Sequence, residues 1–204
     1  SGVQTFNGGE GIDTFKHDFS AGTLNPDLEQ VIDIDLVNGT TGQKGNTAFR
    51  DTLISIENIS YKGYINVEMT GDDNDNKIRS AAGDDIIHAG GGNDYINSGG
   101  GYDLITSGSG LDVILHRQEQ SSNTIDTTKT ITDFVIGEDR LALNGLSFED
   151  ISIDQGTGDN VSHTILSTTD EMGTTSYLGV LENIDASSIS TNDFIEDPFA
   201  KKTL

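Results

Sequence analysis

The sequence predicts an all-β fold wound as a solenoid. Three observations carry the prediction: a nine-residue repeat, a glycine- and aspartate-rich composition within it, and strand-like alternation outside it. The repeat occupies Gly71 to Leu115 and divides without insertion into five blocks, Gly71–Arg79, Ser80–His88, Ala89–Asn97, Ser98–Thr106 and Ser107–Leu115. The eighth position is always isoleucine: Ile78, Ile87, Ile96, Ile105 and Ile114. The sixth is Asn76, then Asp85, Asp94, Asp103 and Asp112, and the fourth is Asn74, then Gly83, Gly92, Gly101 and Gly110. A period of nine fits neither an α-helix nor a long hairpin, whereas short solenoid coils do repeat at such lengths.

Composition says why such a chain needs help to fold. Of 204 residues, 34 are Asp or Glu against 11 Lys or Arg, for a net charge of -23. Leu, Ile, Val and Phe number 52, about a quarter of the chain, which is enough to fold but makes a thin core. With no cysteine, disulfides cannot reinforce it. The charge excludes nucleic acid and anionic lipid as partners. No run approaches 18 apolar residues and Ser1–Thr5 open no signal-peptide pattern, so a soluble chain without direct membrane insertion is expected.

The acid is biased by type as well as number. Asp outnumbers Glu 24 to 10, and residues 71–115 hold eight Asp, no Glu, ten Gly and no Pro. Aspartate is the turn-forming and hard-cation residue. A salt-adapted surface would scatter both acids over the chain, and solvated turn caps would not keep one register five times.

The blocks read GGxGxDxUx, with U a large apolar residue, which resembles the nonapeptide of the RTX (repeats-in-toxin) family. The resemblance implies a parallel β-roll in which the first six positions turn, the last three form a short strand, and two nonapeptides make one coil. Blocks two apart then stack, lining Asn76, Asp94 and Asp112 along one edge and Asp85 and Asp103 along the other. Strands in a sheet lie about 4.8 Å apart. Two carboxylates at that spacing repel by roughly 3 kcal/mol at an effective dielectric near 20. A divalent cation reverses the sign, and calcium accepts six or more oxygens at flexible angles. The implied ligand set is Asn74, Asn76, Gly83, Asp85, Gly90, Gly92, Asp94, Gly99, Gly101, Asp103, Gly108, Gly110 and Asp112, for several Ca2+ ions. Glycines let the turns curl so that their carbonyls point inward.

Rival motifs fail on spacing. An EF-hand begun at Asp72, Asn74 and Asn76 has Lys77 where Gly is needed and Gly83 where the bidentate Glu belongs. The glycine clusters at 90–92 and 99–101 have neither GxGxxG spacing nor a following GK[ST]. His17, His88, His116 and His163 are scattered without HExxH, and no GxSxG places a nucleophile, so a non-enzymatic chain is expected.

Outside the array the reading proceeds in chain order. Residues 1–16 contain GGEGIDTF, an isolated repeat in the same frame, which adds Gly11 and Asp13 to the candidate calcium ligands. Residues 17–70 are a strand-rich excursion continuing the solenoid. In it Ile32, Ile34 and Leu36 alternate with Asp33 and Asp35, DTLISIENIS (51–60) resembles the link to RTX arrays, and Asn38–Arg50 departs from the coil. Residues 116–195 form an irregular β-rich cap, whose Thr130–Leu143 resembles the ITDFxxGxDxLxL segment that follows RTX arrays. Strands are predicted at Val161–Ser167 and Thr175–Leu181, and Asp133 and Asp139 are candidates for one more ion or for turn caps. Residues 196–204, which contain Pro198, read as a linker or tail.

By resemblance this is a non-catalytic calcium-binding module of a large bacterial protein, secreted or at the cell surface, exported by a type I system and belonging to an adhesin. The alternatives are a module that itself reads a cell-surface glycan or peptide through residues 17–70 or 116–195, and an accessory module of a secreted polysaccharide-acting enzyme or protease.

Overall fold

The computed structural model describes residues 3–18, 31–45 and 50–200. Residues 1–2 of the predicted isolated repeat, 19–30 and 46–49 of the predicted excursion and 201–204 of the predicted tail lie outside the described residues. Among those described the chain forms strands and short 3-10 turns. The strands before the array are β1 (Thr5–Asn7), β2 (Thr14–Asp18), β3 (Ile32–Asp35), β4 (Thr40–Gln43), β5 (Asp51–Ile54), β6 (Asn58–Lys62) and β7 (Val67–Thr70). The array supplies β8 (Lys77–Arg79), β9 (Ile86–His88), β10 (Tyr95–Asn97), β11 (Leu104–Thr106) and β12 (Val113–Arg117). After it come β13 (Thr130–Ile131), β14 (Arg140–Asn144), β15 (Ser152–Gln155), β16 (Thr164–Thr169), β17 (Thr175–Leu181) and β18 (Phe194–Glu196).

Consecutive array strands alternate between two sheets. One runs β1-β5-β4-β3-β7-β9-β11-β13-β17-β16-β15, the other β18-β14-β12-β10-β8-β6-β2. Pairing within the array is parallel, with Ile96 opposite Ile78 and Ile114, and Ile105 opposite Ile87 and Ile131. The all-β, parallel-roll prediction therefore holds. A three-residue strand points its first and last side chains to the outer face of its sheet and turns its middle one inward. This is why position eight is apolar: Ile78, Ile87, Ile96, Ile105 and Ile114 are all fully buried. Each contributes on the order of 2 kcal/mol by burial. The same core continues into Ile59 and Met69 on one side and Ile131 and Leu141 on the other.

Both ends depart from the regular coil. In the N-terminal part β3 lies parallel to β7 but antiparallel to β4, so part of the Asn38–Arg50 excursion is a hairpin built into the sheet. In the C-terminal part β15, β16 and β17 form an antiparallel meander whose last strand docks parallel to β13. The second sheet meanwhile goes on through β14 to β18.

The segment from residue 196, expected as a linker or tail, is packed as far as Phe199. Asp197 is buried and accepts hydrogen bonds from Tyr95 Oη at 2.9 Å and Asn144 Nδ2 at 2.7 Å. The Phe199 ring meets Tyr95 edge-on at 4.6 Å, with Lys77 Nζ 3.2 Å from its centroid. Asn144 lies 53 residues and Tyr95 102 residues upstream of Asp197, out of reach of a local reading.

Candidate metal centre

The chain crosses between the sheets at turns that stack into two edges. Residues 71–76, 89–94, 107–112 and 132–139 build one, and 80–85, 98–103 and 118–129 the other. Stacked turns interlock through their backbones. Gly91 N donates to Asp72 O at 2.9 Å and Ser109 N to Gly90 O at 3.0 Å, while on the opposite edge Gly100 N donates to Ala81 O at 3.0 Å. Such closeness demands glycine. A Cβ at Gly99 would lie 1.9 Å from Ala81 O and one at Gly108 1.7 Å from Gly90 O, and both residues have positive φ, 85° and 98°. Gly11, Gly83, Gly90, Gly92, Gly101 and Gly110 share the left-handed sign of φ.

Position six forms two buried columns. On the first edge Asn76 N donates to Asp94 Oδ1 at 2.7 Å and Asp94 N to Asp112 Oδ1 at 2.8 Å. On the second, Val67 N donates to Asp85 Oδ1 at 2.8 Å and Asp85 N to Asp103 Oδ1 at 3.2 Å. Each aspartate thus spends one oxygen on the amide of the rung before it. The first column extends both ways. Asp112 N donates to Asp139 Oδ1 at 3.2 Å, and Asp13 N donates to Glu57 Oε2 at 2.7 Å. Strand register places Asp13, Glu57 and Asn76 in line.

Sequence reasoning missed Glu57 because a Glu breaks the motif. It also missed a second ladder at position five, where Asn93 N donates to Asp75 Oδ1 at 2.7 Å, Leu111 N to Asn93 Oδ1 at 2.9 Å, and Tyr102 N to Asp84 Oδ1 at 2.9 Å. Position five varies along the array, and that variation hid it. Asp133 and Asp139 separate by role: Asp139 joins the column, whereas Asp133 caps the turn by accepting from Ser107 N at 2.9 Å and Gly108 N at 2.8 Å. Asn74 stays outside the columns, donating to Asp72 from both its amide groups. Asn76 is satisfied locally, with Oδ1 accepting from Asp72 N at 2.8 Å and Nδ2 donating to Glu57 O at 2.7 Å.

The second carboxylate oxygens decide the chemistry. Oδ2 of Asp13, Asp94, Asp103 and Asp112 is buried with no hydrogen-bond partner. Asp85 Oδ2 accepts from the Ser80 hydroxyl. A buried carboxylate oxygen left without a donor is costly and calls for a cation. Burial accordingly pushes the Asp85 and Asp94 carboxyls up to about 7 and Asp112 up to about 6. It raises Asp139 as well, and also Asp103, where the Lys129 ammonium is the largest opposing influence. Among the described residues no three His, Cys, Asp or Glu side chains converge on one point. The acids arrive rung by rung, so backbone carbonyls of the glycine turns must complete any coordination sphere. An all-oxygen set with flexible geometry fits calcium and not zinc.

A family model for the RTX calcium-binding nonapeptide repeat, in four copies, matches residues 70–105. Among solved structures, the chain is similar to the AlgE6R2 subunit from the Azotobacter vinelandii mannuronan C5-epimerase at 23% identity. That match covers 65% of this chain and 94% of the other, with a TM-score of 0.44. The AlgE6R3 subunit of the same enzyme matches at 23% identity over 68% of this chain and 84% of its own, with a TM-score of 0.47. No curated protein matches the chain. The family match at residues 70–105 and the two columns of buried position-six residues agree, and the chain carries RTX calcium-binding nonapeptide repeats wound as a β-roll.

Proposed function

We propose that the chain is a non-catalytic, calcium-folded module of a secreted or cell-surface bacterial protein, exported through a type I system and serving in adhesion. The observation that carries this reading is the set of orphaned carboxylate oxygens on Asp13, Asp94, Asp103 and Asp112. These four, with Asp85 and Asp139, are the proposed acidic ligands. Carbonyls of the turns bearing Gly11, Gly83, Gly90, Gly92, Gly99, Gly101, Gly108 and Gly110 complete the set, and Asn76 forms a neutral rung between Glu57 and Asp94, with Asn74 in the same turn but bonded to Asp72. Bound calcium supplies neutralisation of the stacked acids. The protein's own part is to present the free oxygens of Asp13, Asp94, Asp103 and Asp112, to exclude water with the isoleucine layer, and to fix the spacing through the turn hydrogen bonds.

Because the acids are assembled only by folding, binding energy becomes folding energy. Extracellular calcium modules work at roughly 0.1 to 1 mM. In a calcium-poor cytosol the chain stays unfolded by its own charge and fit for export, and it folds outside. Far-UV circular dichroism in EDTA and in millimolar calcium tests this. The β signal is expected only with calcium, and a spectrum already β-rich in EDTA and unchanged by calcium overturns the reading.

A second reading, that the module itself reads a glycan or peptide, is favoured by a groove of about 450 Å³ on the β15–β17 meander. Asp154, Gln155, Asn160, Ser167, Thr175 and Tyr177 line it, a hydrogen-bonding set with one aromatic ring of the kind that suits a neutral sugar or a peptide backbone. A glycan and peptide array probed with calcium present is expected to give a selective hit, and its absence counts against this second reading alone.

A further inference from the structure

The edge that carries Asp85 and Asp103 does not end on a carboxylate. Thr130 pairs with Leu104 as Leu104 pairs with Ile86, so Lys129 stands opposite Asp103 as Asp103 stands opposite Asp85. The backbone repeats as well, with Thr130 N donating to Asp103 O and Leu104 N to Asp85 O, each at 2.8 Å. The position-six residue of this coil is a lysine, and its side chain is inside, only 2% exposed. Its Nζ donates to the carbonyl of Gly99 at 3.4 Å and to that of Leu115 at 3.3 Å. Gly99 is the second-position glycine of the turn that ends at Asp103, whose Oδ2 is one of the orphaned oxygens. A buried ammonium donating to two carbonyl oxygens, within electrostatic reach of the Asp103 carboxylate though not in an ion pair with it, stands in the kind of oxygen-rich environment a hard cation requires, and here the cation arrives on the chain itself. The opposite edge gives the contrast: after Asp94 and Asp112 its next rung is another acid, Asp139.

We propose that the Lys129 ammonium takes the place of a calcium ion at the last position of the Asp85–Asp103 edge, ending that ion ladder one rung before the Asp139 edge ends. The inference rests on the calcium-folded roll proposed above and specifies where one of its two ladders stops. A tethered cation is present at any calcium concentration, so the junction between the array and the β13–β17 cap keeps one neutralised carboxylate when ions are scarce. It also repels a divalent ion from that position, which gives the module a defined, unequal loading of its two edges.

Native mass spectrometry of the whole chain at saturating calcium, wild type against Lys129→Asp, tests the assignment. Anomalous difference maps from wild-type crystals grown in calcium provide a measurement that needs no variant. The variant is expected to hold one ion more than the wild type, and the maps are expected to show ions in the array turns but none between Asp103 and residue 129. A folded Lys129→Asp with an unchanged ion count, or a calcium ion between Asp103 and Lys129 in the wild type, overturns the Lys129 assignment while leaving the calcium roll standing. A wild type that loads no calcium anywhere removes the roll reading and this one with it.

Discussion

Asp112 is fully buried and hydrogen-bonded through only one of its two oxygens, so half of its carboxylate is committed to holding the turn and the other half is the oxygen that the proposed ligation uses. Asp112→Asn keeps the amide contact through Oδ1 but removes the charge. A unit charge near a cation is worth roughly 4 kcal/mol gross at an effective dielectric near 20, and relief of repulsion with Asp94 and Asp139 offsets part of that. The calcium midpoint of folding, followed by circular dichroism, is expected to rise on the order of tenfold.

The same residues set a pH dependence in EDTA. Their carboxyls start from 3.8 and are raised by burial to about 7 for Asp85 and Asp94 and about 6 for Asp112. Between those values the folded state binds more protons than the unfolded one, so stability falls as pH rises. Their contribution is complete below 3.8 and lost as pH climbs through about 6 to about 7. The calcium-free chain should therefore gain β signal on acidification from above neutrality, whereas in calcium the same protons compete with the ion and weaken binding.

The elements are held by what the turns permit. The array strands β8 to β11 are three residues long and β12 five, too short to be stable as hairpins, and each depends on two parallel neighbours and one inward isoleucine. The turns can bring those neighbours into register only where no side chain intervenes. Gly108→Ala places a Cβ 1.7 Å from Gly90 O at positive φ, while Gly100→Ala meets nothing within 4 Å. The first is expected to cost more than about 2 kcal/mol in calcium-loaded thermal or denaturant unfolding, the second less than about 0.5 kcal/mol. A similar loss at both positions would mean that the turns do not stack as described.

For the whole molecule, with a net charge of -23 and only about a quarter of its residues Leu, Ile, Val or Phe, the proposed calcium-folded module is expected to compact only when cations bind. For 204 residues the radius of gyration is expected near 17 Å when compact and near 49 Å when unfolded, as rough scaling values. An elongated roll will exceed the lower figure. Small-angle scattering should show the larger size in EDTA and the smaller in millimolar calcium. Magnesium at equal concentration should leave the chain expanded, because it demands near-ideal octahedral geometry and sheds water reluctantly. Compaction by magnesium equal to that by calcium would point to bulk screening in place of ligation.

The strictly periodic features were legible because one short coil repeats itself. The buried isoleucines, the glycine turns and the alternation of Asp85 and Asp103 with Asp94 and Asp112 follow from position within nine residues and need no distant information. Glu57 and Lys129 occupy equivalent rungs with no intact nonapeptide around them, because loops of irregular length precede them and only strand pairing restores the register; Asp139 was legible as a candidate, but only pairing of β14 with β12 separates it from Asp133. The packing of Asp197 and Phe199 onto Tyr95 was likewise invisible, since its partners are a hundred residues apart in the chain. The sequence by itself determined that acids would be stacked and that a cation must join them. Only the tertiary structure decided which rungs align at the two ends, and that one of them brings its own positive charge, because alignment across unequal loops is a property of sheet pairing and not of local spacing.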